Sequence, residues 1–220
     1  MSPDLSHIGH WVFDLDNTLY PPECEFMALV EGRINAFVAR ESGLPADEAM
    51  ALQKRYLHEH GTTLAGLMAY HDIDPHRFLD EVHDVSLDCL TPDPELRAGL
   101  QRLPGRRLVF TNGSARHAER VLERLAIADL FDDVFHLEAA DLIPKPDPRT
   151  FARMIERHGV APRAAAFFED TERNLAPAAE LGMTTVLVGP HAPLSDALHV
   201  DWRAERLPPF LNAAVLKETP

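Results

Sequence analysis

Four short stretches of almost unbroken apolar residues limit the folds open to this chain: WVFDL (Trp11–Leu15), RLVFT (Arg107–Thr111), AAFFE (Ala165–Glu169) and TTVLVG (Thr184–Gly189). A strand with one wet face alternates apolar and polar residues. Runs without alternation belong to strands buried on both faces, as in a parallel sheet covered by helices. DVFHL (Asp133–Leu137) is a weaker fifth run. Helical spacing fills the gaps. Ser114–Leu125 carries Ala118, Val121, Leu122 and Leu125 on one face. Pro148–His158 starts behind Asp147, a good N-cap, with proline at the first helical position. Asn174–Leu181 runs up to Gly182, a residue suited to a helix C-terminus. Strand and helix alternate, which predicts a doubly wound, Rossmann-like α/β sheet.

One segment interrupts the alternation. From Pro21 to about Pro92 no strand-like run occurs, whereas Phe26, Val30, Ile34, Phe37 and Val38 share a helical face. Further helices are expected from Asp47, after Thr63, and after Pro75 with Phe78, Leu79, Val82 and Val85. The expected organisation is therefore a core formed by 1–20 and 93–220, with 21–92 as a helical domain inserted after the first strand. The Pro-rich tail holds one amphipathic helix near Pro209–Leu216.

Composition narrows the partners. A formal net charge of −14 over 220 residues argues against a nucleic-acid partner, because such binders carry basic patches. No apolar run reaches the length of about 18 residues that a membrane span needs. Cys24 and Cys89 are far apart in sequence and form no CxxC, and MSPDLSHIGH does not read as a signal peptide, so a cytoplasmic location is expected. The 12 histidines fall in no HExxH, and zinc is not expected. Oligomeric state is not encoded in any of these features.

Chemistry concentrates where strands end, which is where open α/β sheets bind ligands. The first strand ends in Asp14 and Asp16, the second in Thr111, Asn112 and Gly113, and AAFFE in Glu169 and Asp170; Lys145 lies in the intervening PKPDP. Two aspartates this close repel, and burial adds a desolvation cost that a divalent cation offsets. Hard oxygen ligands suit Mg²⁺, which keeps waters and binds phosphate oxygens. Lys145 supplies a positive charge, Thr111 a hydroxyl, and the N–H groups of Asn112 and Gly113 are expected to open a helix, a favourable place for an anion. Each piece alone has an ordinary explanation: an Asp after a strand caps a turn, TNG is a turn, a lone lysine is solvated, and Glu-Asp starts a helix. Together, and in this order, they describe a site for a phosphoryl group.

DLDNTL, FTNG, the KPDP lysine and FFEDT resemble the four motifs of the haloacid dehalogenase-like hydrolase superfamily over roughly Trp11 to Gly189, and the insert resembles its helical C1 cap. Within that superfamily, FDLDNTLYPP and FFEDTERNL are similar to the pyrimidine 5′-nucleotidase branch. The resemblance implies a phosphomonoester hydrolase acting on a small-molecule substrate. Asp14 would be the nucleophile that forms an aspartyl phosphate, and Asp16 the general acid and then base. Mg²⁺ would be held by the Asp14 and Asp170 carboxylates and the Asp16 main-chain carbonyl. Thr111, Asn112 and Gly113 would bind the phosphoryl oxygens, Lys145 would balance their charge, and Glu169 would act through water. Asn174 stands where relatives often carry a second acid.

Asp16 argues against a dehalogenase, since a departing halide needs no proton and an alkoxide does. Phosphoglycolate phosphatases, sugar-phosphate phosphatases and phosphomutases share the motifs and stay open. A phospho-receiver domain, the alternative from a non-enzyme class, is about half this length, has no cap, and carries its acidic pair on strand one with a solitary phosphoacceptor Asp elsewhere. Tyr20, Phe26, Arg116 and His117 are the residues expected to contact a base or ribose.

Overall fold

A computed structural model of the protein describes residues 2–217. Six strands form one sheet: β1 (His10–Phe13), β2 (Arg106–Phe110), β3 (Asp133–Phe135), β4 (Ala165–Glu169), β5 (Thr184–Val188) and β6 (Trp202–Ala204). Their order is β3-β2-β1-β4-β5-β6, and every pairing is parallel. The apolar runs are explained by this arrangement. Trp11, Phe13, Ala166 and Phe168 face one core cluster, while Val12, Ala165 and Phe167 face another on the opposite side of the sheet. Phe13 stacks on Phe168 at 4.6 Å across the strand pair, in the register that aligns them.

The strands stop one or two residues short of their apolar runs, except AAFFE, which matches β4. Asp14 still donates its N–H to Phe168 O at 2.8 Å, and beyond it the chain leaves the sheet. The chain builds β1, β2 and β3 to one side, then crosses to β4 on the other, so β1 lies at the topological switch point where such sheets bind ligands.

Between β1 and β2 lie α1 (Phe26–Ser42), α2 (Ala46–His60), α3 (Thr63–Tyr70), α4 (Pro75–Val82) and α5 (Pro94–Gln101). Phe37, Val38, Leu52, Leu67, Phe78 and Val82 form a separate core among α1–α4. Val85 falls beyond the end of α4, and α5 was not foreseen from the spacing despite its cap: Asp93 accepts from Glu95 and Leu96 N–H behind Pro94. The remaining helices are α6 (Ala115–Arg124), α7 (Pro148–His158), α8 (Glu172–Glu180) and α9 (Leu207–Ala213). The tail helix α9 starts two residues earlier than expected, and β6, only three residues long, is too short to leave a sequence signal. Both cysteines are free; the Cys89 thiol, distant in sequence, is a neighbour of Cys24, whose thiol is pushed up by burial and by that contact. Among the described residues no helix is long and apolar enough to cross a membrane.

Candidate active site

The site is assembled from the C-terminal ends of β1, β2 and β4. Because Phe13 pairs with Val109 on one side and Phe168 on the other, Asp14 emerges between the end of β2 and Glu169. Lys145 fills the space between them. Its ammonium donates to Asp14 Oδ1 at 2.7 Å, Glu169 Oε1 at 2.8 Å and Phe110 O at 2.8 Å, and the side chain is 1% exposed. Burial works against its charge, but Asp14 and Glu169 hold it above the ordinary lysine range. Thr18 Oγ1 donates to Asp14 Oδ2 at 3.2 Å. The turn that brings Thr18 back runs through Asn17 in the left-handed region (φ 59°), which Asn tolerates better than most residues.

Asp14, Glu169 and Asp170 each present a carboxylate oxygen, all within 4.8 Å of one another. Burial, with Glu169 and Asp16 nearby, pushes Asp14 up to about 7 despite the lysine. Burial and the nearby Glu169 and Asp14 carboxylates push Asp170 up to about 9. Glu169 is pushed up by burial but pulled further down by Lys145 and its hydrogen bonds, so it sits below its usual value. Its oxygens accept from Lys145, from Asn174 Nδ2 at 2.6 Å and from the Thr171 N–H at 2.7 Å. Glu169 thus stands beside Asp14 and Asp170 with both oxygens already accepting hydrogen bonds, an arrangement compatible with the expected contribution through water. Asn174 is a neutral donor to it where an acid would add a fourth carboxylate, and its Oδ1 is buried without a partner. Three carboxylates against one ammonium, with an orphaned amide oxygen beside them, are a donor set that fits a hydrated hard divalent cation.

The Asp16 carboxylate is not in that cluster, so only its main-chain carbonyl is left to act as a ligand. Its Oδ1 accepts from Tyr20 Oη at 2.6 Å and meets His117 Nε2 at 2.8 Å. Burial pushes Asp16 up, but His117, Tyr20 and His83 more than offset it and hold the acid at about 2. Thr111 is buried, and its Oγ1 accepts the Gly113 N–H at 2.9 Å. The Asn112 side chain is committed to the main chain of Lys145: Oδ1 accepts its N–H at 2.8 Å and Nδ2 donates to its carbonyl at 3.2 Å. The amide therefore braces the lysine, and of Asn112 only the main-chain N–H is left to meet an anion. The helix after TNG also starts later than expected, at Ala115, behind Ser114 as the N-cap.

A pocket of about 280 Å³ lies over these groups, reaching Asp14, Asp16, Thr111, Lys145 and Asp170 at its floor. Its far wall comes from α1–α4: Met27, Val30, Ile34, Phe78, Leu79 and Val82, with Gln53 among them. Gln53 is 6% exposed, and its Oε1 is buried without a partner. None of the four residues expected to touch substrate lines this pocket. Tyr20 and His117 stand behind Asp16, Phe26 is packed against both of their rings, and Arg116 is exposed near Asp80. Thr18, Gln53, Asn174 and His83 also belong to the site, through Asp14, the pocket wall, Glu169 and Asp16 respectively. For Thr18 the signal was its i+4 spacing from Asp14; Gln53 and His83 look like ordinary polar residues of helical segments.

The fold and the carboxylate-lysine site are those of a Rossmann-like hydrolase with an Asp-x-Asp motif at the end of its first strand. The chain belongs to the haloacid dehalogenase-like hydrolase family, which it matches over residues 9–182. It is 33% identical over 192 residues, 80% of the chain, to phosphate metabolism protein 8 of Saccharomyces cerevisiae, and 33% identical over 123 residues, 52% of the chain, to a fructose-1-phosphate phosphatase of Escherichia coli. These matches span 60% and 63% of the lengths of those relatives. The crystal structure of a phosphatase of the family from Thermococcus onnurineus shares the fold, with a TM-score of 0.59 at 21% identity, covering 90% of this chain and 94% of that one.

Proposed function

We propose that this protein is a Mg²⁺-dependent phosphomonoesterase that works through an aspartyl phosphate and prefers pyrimidine nucleoside 5′-monophosphates. Residues 21–92 act as its cap domain, closing over the core formed by 1–20 and 93–220, and the cytoplasm is its place of action. Asp14, Asp170 and the Asp16 carbonyl would hold the metal, with Glu169 and Asn174 behind them. When bound, Mg²⁺ neutralises the carboxylates and the phosphoryl oxygens together.

The chain's own groups supply the rest. Asp14 attacks phosphorus while the bond to the leaving oxygen breaks, and Asp16 passes a proton to that oxygen. Water then attacks the aspartyl phosphate and gives its proton to the Asp16 carboxylate, and the bond from phosphorus to Asp14 breaks. The low value of Asp16 without substrate places it in the base form that the second step uses. A phosphate dianion alongside raises its proton affinity and prepares it for the first. Lys145, the Thr111 hydroxyl and the Asn112 main-chain N–H stabilise charge on the transferred group, the dominant contribution in phosphoryl transfer, whereas the Gly113 N–H expected to join them is taken by Thr111 Oγ1.

The observation that carries the substrate preference is the apolar wall containing one buried amide. Against the apolar part of that wall, Met27, Val30, Ile34 and Phe78, a sugar phosphate with a hydroxyl on nearly every carbon would lose hydrogen bonds to water, keeping only what Glu31, Thr63 and Arg173 at its margin can offer. A pyrimidine offers flat faces to Met27, Ile34 and Phe78 and a polar edge that an amide can pair with. The Escherichia coli relative's name favours a second reading, a sugar-phosphate phosphatase. Steady-state kcat/KM with Mg²⁺ for UMP, CMP, AMP, GMP, fructose 1-phosphate and phosphoglycolate decides between them. Faster turnover of either non-nucleotide overturns the preference and leaves the phosphatase chemistry standing.

A further inference from the structure

We infer that His117 and Tyr20 are positioning residues for Asp16: both engage the same carboxylate oxygen, Oδ1, from the side away from the pocket, and so present Oδ2 to the leaving group. This rests on the reading of Asp16 as acid and base given above. The two contacts are 2.6 Å from Tyr20 Oη and 2.8 Å from His117 Nε2. The ionised Oδ1 has no proton to offer, so Nε2 carries the hydrogen and donates it. Asp16 and Gly113 line the pocket, whereas Tyr20 and His117 do not.

The histidine is itself held. It is 1% exposed, and its main-chain N–H donates to Ser114 Oγ at 3.2 Å in the first turn of α6. Phe26 at the start of α1 stacks on its ring at 5.9 Å with an interplanar angle of 6°. His83, directly after α4, stacks on it at 4.2 Å with an angle of 19°. The ring that orients the acid is therefore clamped by both ends of the α1–α4 insert, and seating of the insert and aim of the acid are mechanically linked. Gly113 completes the arrangement. A Cβ there would lie 2.8 Å from His117 Cδ2 and 3.7 Å from Asp16 Oδ2, so the third residue of TNG is one that lets the imidazole approach.

An acid must lie within hydrogen-bond reach of the oxygen it protonates, and a small misplacement costs a large factor in rate. Protonation matters most when the leaving oxygen is a strong base. The test compares phenyl phosphate with p-nitrophenyl phosphate, esters of similar shape whose leaving groups differ in basicity, using the first-turnover rate of phenol release with Mg²⁺. Asp16→Asn is the reference and should lose far more on phenyl phosphate. His117→Ala should lose at least about tenfold more on phenyl than on p-nitrophenyl phosphate, a share of the roughly 10²–10⁴ that acid catalysis supplies. His117→Gln, which keeps a donor near the Nε2 position, should recover part of it. Tyr20→Phe, which removes one hydroxyl, should show a smaller loss with the same selectivity even if the histidine variants fold poorly. Equal losses on both esters in His117→Ala and Tyr20→Phe, with Asp16→Asn selective, overturn the positioning role alone. An unselective Asp16→Asn overturns the reading of Asp16 as the acid, and the inference falls with it.

Discussion

Lys145 and Asp14, 131 residues apart in sequence, meet at 2.7 Å with both side chains out of water, and the same ammonium reaches Glu169. One cation thereby holds together the ends of β1 and β4 and keeps two acids in a small volume. Breaking a buried pair by deleting one partner is costly because the other charge is left uncompensated. Lys145→Met should lower unfolding stability by about 3–5 kcal/mol at neutral pH. Chemical denaturation of both proteins measures it, and a variant as stable as wild type would mean that the lysine does not neutralise this cluster.

Asp14→Asn should abolish turnover, by at least about a thousandfold, since an amide cannot be the nucleophile. It should not cost stability near pH 8, because burial already makes the ionised Asp14 unfavourable, with its carboxyl pushed up to about 7. Phosphate release and a thermal melt followed by far-UV circular dichroism check the two halves separately. Residual activity within tenfold of wild type would remove Asp14 from the mechanism.

The parallel sheet was legible because burial on both faces leaves unalternating runs, and β1, β2, β4 and β5 follow them closely. The floor of the site was legible because each strand end carries polar residues that a buried sheet would otherwise exclude, and the structure brings Asp14, Lys145, Thr111 and Asp170 together at one pocket. The direction in which side chains point was not. Tyr20 and His117 were read as facing substrate, yet Asp16 turns both inward, since a carboxylate at the edge of a core recruits donors from behind. The pocket wall stayed hidden for a related reason. Gln53 is an ordinary residue of an amphipathic helix until the fold of α1–α4 buries it facing apolar neighbours.

Metal and pH should act on stability together. Asp14 and Asp170 are held at about 7 and about 9, above an ordinary aspartate near 3.9. The folded state therefore keeps protons that the unfolded chain has released, so this contribution is present at acid pH and is lost as pH rises through 7 and then 9. Asp16, at about 2, works oppositely, and its contribution is lost only below about pH 4. A divalent cation replaces the missing protons, so millimolar Mg²⁺ should raise Tm more at about pH 8.5 than at about pH 5.5. EDTA should stop turnover, and added Mg²⁺ should restore it. A Mg²⁺ effect on Tm that is independent of pH, or full activity in EDTA, would separate the carboxylates from metal binding.

The proposed substrate preference turns on Gln53. The residue is 6% exposed, its Nε2 reaches the Glu31 carbonyl only at 3.5 Å, and its Oε1 has no partner among the described residues. An unpaired buried acceptor is expensive, and a small shift of the Gln53 side chain on binding would let a ligand at the pocket wall pair with it. A pyrimidine edge set against the apolar wall would do so, while a purine's second ring would need additional room in a pocket of about 280 Å³. UMP and CMP should therefore exceed AMP and GMP in kcat/KM. Gln53→Leu nearly preserves volume and removes the amide. It should cut kcat/KM for the pyrimidine nucleotides by about tenfold to a hundredfold, as loss of one buried hydrogen bond predicts, with p-nitrophenyl phosphate within about threefold because it carries no base to read. Parallel kinetics on these substrates settle it. Equal losses on p-nitrophenyl phosphate would make Gln53 a structural residue of the insert, and a purine preference in the wild type would place the base elsewhere.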